Sequence, residues 1–194
     1  MSSNPKQLII ITAPSGAGKT SITHFLLGAF PRLAFSISAT SRPPRSGEKP
    51  GVDYYFISTE AFKEKIQHHE FAEWEMVYEG KYYGTLYSEL ERIWANNQLP
   101  VLDIDVKGAI HLQQQYPGRS LTLFVQPPSL EELKRRLEAR GTESPESLQA
   151  RVDKASFELS FRDQFDYVVV NDELQRACRE VSDILHKFIL TNTL

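Results

Sequence analysis

Leu8-Ile9-Ile10-Ile11 is an unbroken apolar run, the pattern of a parallel strand buried on both faces. Over residues 20–30 the period becomes helical, with Ile22, Phe25, Leu26 and Phe30 on one stripe and Pro31 as the stop. Residues 33–37 predict a second strand. The pattern then breaks: Arg42, Pro43, Pro44, Arg45, Gly47, Pro50 and Gly51 make residues 40–53 a loop by every local signal. Residues 54–57 predict a short aromatic strand, and Thr59 is the expected cap of a helix reaching His68. Residues 73–78 and 81–83 flank Glu79-Gly80 as the arms of a hairpin. Residues 86–96 predict a helix with Leu86, Leu90, Ile93 and Trp94 on one face. Strands follow at 100–105 and 121–125. Ser129-Leu130-Glu131-Glu132 has the form of a capping box before Leu133 and Leu137, with a stop at Gly141. Ser144-Pro145 opens another helix, with proline at its first position. Residues 165–170 give the last strand, and Leu174, Ala177, Cys178, Val181, Ile184, Leu185 and Phe188 the stripe of a closing helix.

Five strands alternating with helices predict an α/β fold, an open parallel five-stranded sheet with helices on both faces. Residues 38–85 interrupt it as a small mixed α/β insert, and residues 129–156 as a helical lid. The core is then 1–37, 86–128 and 157–194.

Composition acts mainly by exclusion. A chain of 194 residues that is 41% hydrophobic can bury one good core. A net charge of -3 without like-charge blocks argues against nucleic-acid binding. One cysteine, Cys178, rules out an internal disulfide or a multi-cysteine metal site. The five histidines are scattered, apart from His68-His69, and form no convergent ligand set. Residues 1–7 lack a signal-peptide pattern, and no apolar run reaches membrane-spanning length. A cytoplasmic enzyme without a membrane partner is the expectation. Trp74 and Trp94 read as packing residues.

The chemistry starts between the first strand and first helix, at Ala13-Pro14-Ser15-Gly16-Ala17-Gly18-Lys19-Thr20. Strand, glycine-bearing loop and helix N-terminus in that order make a nucleoside-triphosphate site of the P-loop NTPase type. In the loop Pro14 to Thr20 the backbone N–H groups from Ser15 onward point at phosphates, Lys19 neutralises the transferring oxygens, and the Thr20 hydroxyl suits Mg²⁺. Ala13 stands where the motif has its first glycine, which requires negative φ there.

The insert separates the many enzymes that share such a loop. Arg42 and Arg45, three apart in a proline-stiffened loop, can clamp one phosphate. A solvated charged loop is the plain alternative. Tyr54 and Tyr83 offer hydroxyls to the same phosphate. Glu73 lies in an otherwise apolar strand, where a carboxylate could accept the N1 and N2 hydrogens of guanine. Adenine has no such pair and would leave the carboxylate unpaired. Edge-strand solubility is the plain alternative for Glu73.

Several stretches together resemble the guanylate kinases, which move the ATP γ-phosphoryl group to GMP. They are residues 38–45, Glu48, residues 51–56, residues 70–74, Tyr82-Tyr83-Gly84-Thr85, residues 102–105, Arg136 with residues 140–143, and Val170-Asn171-Asp172. The resemblance covers residues 8–190. It implies that Arg42, Arg45, Tyr54 and Tyr83 hold the GMP phosphate and that Glu73, Ser38, Thr85 and Asp105 surround guanine. It puts Asp103 near Mg²⁺ and Asn171 by the adenine. Arg136, Arg140 and Arg151 would reach the ATP phosphates as the lid closes. The catalytic set is then Lys19, Arg42, Arg136, Arg140 and Arg151. Partners are the small nucleotides GMP and ATP, with the chain a monomer or homodimer. Insert and lid are expected to move by hinges near Ser38, Gly84 and Pro127-Pro128. Two rivals stand beside this reading. One is a kinase of the same architecture acting on a phosphorylated sugar, which would need no guanine-reading carboxylate. The other is a non-catalytic module binding phosphoproteins, which would have no use for Lys19, Thr20 and Asp103.

Overall fold

The computed structural model describes residues 6–139 and 145–191. Nine strands and seven α-helices follow in the order β1 (Leu8–Thr12), α1 (Lys19–Ala29), β2 (Leu33–Phe35), β3 (Ala39–Thr40), β4 (Tyr55–Phe56), α2 (Thr59–Gln67), β5 (Phe71–Tyr78), β6 (Lys81–Leu86), α3 (Tyr87–Ala95), β7 (Leu99–Asp103), α4 (Val106–Gln115), β8 (Ser120–Gln126), α5 (Leu130–Ala139), α6 (Pro145–Leu159), β9 (Tyr167–Val170) and α7 (Leu174–Thr191) among the described residues. The parallel sheet has strand order β2-β7-β1-β8-β9. Every residue of β1 is buried, four of them apolar and the fifth Thr12, as the middle strand of a sheet covered by helices requires. The second sheet has order β4-β3-β6-β5 and mixes a parallel β3–β4 pair with antiparallel β3–β6 and β5–β6 pairs.

Two compact units divide the chain. The first takes the chain up to Ile9 and Arg32–Ser120. Here β2 pairs with β7 in the register Leu33↔Leu99, Ala34↔Pro100, Phe35↔Val101. The small sheet packs on Phe62 of α2, which stacks on Phe71 at 4.3 Å and Tyr82 at 5.5 Å, over a cluster closed by Ala39, Ile57, Ile66 and Leu86. The second unit takes Ile10–Pro31 and the chain from Leu121 onward. Its β8–β9 pair is locked where Thr122 N and Oγ1 both donate to Asp166 Oδ2, at 2.8 and 2.7 Å. Leu26 of α1 is fully buried, as are Ala177, Val181 and Leu185 of α7, and Cys178 is buried on the same stripe.

Three local expectations need correction. The cap of α2 is Ser58 rather than Thr59: Ser58 is extended and its Oγ accepts from Ala61 N at 3.1 Å. The strand expected over 100–105 ends at Asp103, because Asp105 caps α4, a helix the sequence pattern left unassigned. Phe25, expected on the inward stripe of α1, is 41% exposed, whereas Trp74, expected to pack, tilts against Tyr82 at 6.2 Å. Ser144 and Gly141, expected helix boundaries, lie outside the described residues. Among the described residues no helix is long and apolar enough to cross a membrane.

Candidate active site

The loop from β1 to α1 answers the missing glycine first. Positive φ in described non-glycine residues occurs only at His69 and Asn97, so Ala13 has ordinary backbone and tolerates its Cβ. The left-handed positions are Gly16 (φ 93°) and Gly18 (φ 98°). Ala17 N donates to Pro14 O at 3.1 Å and Ile22 N to Gly18 O at 3.2 Å, which turns the chain directly into α1. The N-terminus of α1 has no side-chain cap and no acidic residue in its first turn. Its N–H groups and positive dipole end therefore suit an anion. Lys19 is half-buried there, and Ser15 and Thr20 are exposed.

The same unit gathers three predicted residues at this loop. Arg151 of α6 donates from Nη1 to Ser15 Oγ at 2.9 Å. Arg136 of α5 donates from Nε to Glu132 Oε1 at 2.8 Å and from Nη2 to Asn171 O at 3.0 Å. Asn171, just beyond β9 and 4% exposed, donates from Nδ2 to Ala17 O at 2.7 Å. Arg140 lies outside the described residues.

The first unit holds the insert residues. Glu73 and Thr85 face each other across β5 and β6, and Thr85 Oγ1 donates to Glu73 Oε1 at 2.6 Å. Both are buried, at 5% and 0% exposed. Burial pushes the Glu73 carboxyl up to about 8; the Thr85 hydroxyl opposes this and the charge of Asp105 adds to it. Asp105 Oδ1 accepts from Lys107 N at 2.8 Å and Gly108 N at 3.0 Å, capping α4. A Cβ on Gly108 would lie 2.5 Å from Glu73 Oε2, so the carboxyl rests against the first turn of that helix.

Arg42 is the centre of a second cluster. It is 6% exposed, and forks onto Glu48 with Nη1···Oε2 at 2.6 Å and Nη2···Oε1 at 2.7 Å. Its Nε donates to Tyr83 Oη at 3.1 Å, and its Cζ lies 4.9 Å from the centre of the Tyr54 ring. Tyr54 and Tyr83 meet edge to face at 6.0 Å. Arg42, with a lesser backbone bond from Arg45 N, draws Glu48 down to about 2. The Arg45 side chain is exposed. Ser38 is half-buried, and its carbonyl accepts from Tyr55 N at 2.9 Å. Asp103 is half-buried at the carboxyl end of β7, the end where open α/β sheets bind ligands.

A sequence model of the guanylate kinase family matches residues 5–188. The chain belongs to the guanylate kinase family. A guanylate kinase of Bacteroides thetaiotaomicron is 48% identical over 183 residues, covering 94% of this chain and 90% of the relative. One of Salinibacter ruber is 47% identical over 184 residues, covering 95% and 97%. The crystal structure of guanylate kinase from Anaplasma phagocytophilum matches with a TM-score of 0.77 at 29% identity, covering 95% of this chain and 86% of that one. A sugar-kinase or non-catalytic reading is not favoured beside these relatives.

Two contacts in this chain escape sequence reasoning. Glu48 was visible only as part of a motif, and its pairing with Arg42 depends on the turn closed by Glu48 N to Arg45 O at 3.1 Å. The seat of Glu73 on α4 depends on a helix whose only sequence signals are the Asp105 cap and the buried spacing Val106, Ala109, Leu112.

Proposed function

We propose that this enzyme transfers the γ-phosphoryl group of ATP to GMP, giving ADP and GDP. The observation that carries the choice of acceptor is Glu73, a buried carboxyl bonded to Thr85 and seated on a helix N-terminus. Guanine brings two adjacent N–H donors to the carboxylate; adenine sets an acceptor, N1, beside its N6 donor and would leave one buried carboxylate oxygen unpaired. Ser38, Thr85 and Asp105 complete the base site in this reading. Arg42, Arg45, Tyr54 and Tyr83 take the GMP phosphate. The phosphate is already anionic, so its attack on the γ-phosphorus needs no strong general base. It needs alignment and positive charge, which Lys19, the loop N–H groups, Arg136, Arg140 and Arg151 supply. Lid closure over these groups would exclude water and suppress ATP hydrolysis.

Mg²⁺ suits the residues present. Thr20 and Asp103 each carry a hard oxygen donor. Mg²⁺ characteristically binds through one or two protein oxygens together with substrate phosphates and water. Thr20 and Asp103 would hold it, and it would neutralise charge on the β and γ phosphates. We place the enzyme in the cytoplasm, in keeping with its single cysteine.

A coupled assay of ADP release from MgATP, with GMP, AMP, CMP and UMP offered separately, tests the proposal. Turnover with GMP alone is expected. Equal turnover with AMP would rule out Glu73 as the group that selects guanine.

A further inference from the structure

The Asn171 side chain is bound to main chain 154 positions away, with Nδ2 at 2.7 Å from Ala17 O. The residue is 4% exposed, and its own backbone is held on both sides. Its N–H donates to Gln126 O at 2.8 Å, and its carbonyl accepts from Arg136 Nη2 at 3.0 Å. The fit is close enough to exclude any side chain at Gly18, where a Cβ would lie 2.1 Å from Nδ2. Gly18 is also the N-cap of α1, at φ 98°, and no side chain caps that helix. The Asn171 amide reaches this peptide from outside the loop.

We propose that Asn171 is a positioning residue for the phosphate loop, holding the Ala17 carbonyl on one side so that the Gly18 N–H is presented to the ATP phosphates on the other. The physical reason is the planar trans peptide, whose C=O and N–H point in opposite directions. Fixing Ala17 O therefore fixes Gly18 N–H. Without the anchor the peptide can flip, turning a carbonyl toward the phosphates in place of a donor. A preorganised donor costs no reorganisation when the nucleotide binds. Family resemblance puts Asn171 beside the adenine. An amide nitrogen committed to Ala17 O has a role that does not involve the base. The proposal rests on the reading of residues 13–20 as the phosphate loop.

The test uses the whole chain and two substitutions of similar size, Asn171→Leu and Asn171→Asp. Binding of MgATP, of inorganic tripolyphosphate and of GMP is measured by calorimetry. Asn171→Leu is expected to weaken MgATP and tripolyphosphate by the same factor, about tenfold or more. GMP affinity is expected to stay within about twofold. Asn171→Asp, which also sets a carboxylate against Ala17 O, is expected to weaken both phosphates further. Loss of ATP with tripolyphosphate unchanged would show that Asn171 serves the base, and would overturn the proposal. So would unchanged binding of both. Should a variant lose GMP as well, the unmutated enzyme decides. Its Asn171 side-chain amide protons are expected to exchange slowly with solvent, with or without tripolyphosphate, and fast exchange in both states overturns the proposal. Lys19→Ala separates the underlying reading: if it leaves tripolyphosphate binding intact, the loop assignment fails, not the Asn171 bond alone.

Discussion

Glu73 is an ordinary carboxylic acid placed where water hardly reaches it. Its folded pKa, about 8, lies above the unfolded value of about 4.3. The folded state therefore holds the proton between those values, and this group's contribution to stability falls as pH rises through that window. In the proposed base site GMP would reverse the preference, because two N–H donors favour the anion, and binding would then release a proton. GMP affinity is expected to rise by up to about tenfold per pH unit from pH 7 to about 8 and then level off. That range lies above the second ionisation of a phosphate monoester, about 6. Calorimetry across pH checks this, and a flat profile would count against Glu73 as the base reader. Glu73→Gln should flatten the profile and raise KM for GMP. Glu48 has the opposite sign. Its folded pKa of about 2 lies below the unfolded value, so the Arg42 pair stabilises above about pH 4 and is lost as pH falls toward 2. Glu48→Ala should cost about 1–3 kcal/mol, since it strands a buried guanidinium. GMP should restore part of that loss by supplying another anion. Thermal unfolding with and without GMP measures both, and a shift with GMP no larger than in the unmutated enzyme would contradict the pairing. Arg42 and Glu73 were conspicuous in the sequence by residue type and place. Their burial and their partners were not, because partners come from the far strand or the far end of a turn.

At the scale of elements, α4 shows what periodicity misses. Gly108 sits in its first turn, where alanine would ordinarily favour a helix by about 1 kcal/mol. The Glu73 carboxyl forbids that gain, since the added Cβ would stand 2.5 Å from Oε2. Gly108→Ala is therefore expected to raise KM for GMP at least tenfold while KM for ATP changes little. An unchanged KM for GMP would show that Glu73 has room to move. Glu89 of α3 is a second element-scale tie. It is 3% exposed and accepts from Ile37 N at 3.0 Å, Tyr55 Oη at 3.1 Å and Arg92 Nε at 2.9 Å. It thus ties the segment just after β2, the start of β4 and α3 together. Glu89→Gln should destabilise by about 1.5–3 kcal/mol, read from chemical unfolding. The start of α5 was legible: Ser129 Oγ accepts from Glu132 N at 3.1 Å, as the capping box predicts. Ser58 and Thr59 are adjacent hydroxyls that either could cap, and only the extended backbone at Ser58 chose between them.

For the whole molecule, the two units divide the nucleotide work in the proposed function. The GMP-side residues lie in the unit containing Arg32–Ser120, and the phosphate loop, with Arg136, Arg151 and Asn171, lies in the other. Hydrogen exchange should register that division. GMP is expected to slow exchange in β5 and β6, and a non-hydrolysable ATP analogue in the loop and α1. A GMP footprint confined to Ile10–Pro31 would reverse the assignment.

The sequence by itself determined the strand–loop–helix over residues 8–29 and the five-stranded parallel sheet, because short-range apolar pattern and turn chemistry are local properties. It also singled out Arg42 and Glu73, since a charge in a stiff loop or an apolar strand is conspicuous without coordinates. Tertiary structure decided that Glu48 occupies the Arg42 fork, that Glu73 rests on α4, and that Asn171 holds Ala17. Each of these is a contact between segments whose separation along the chain has no period, and only packing brings the two atoms within hydrogen-bond distance.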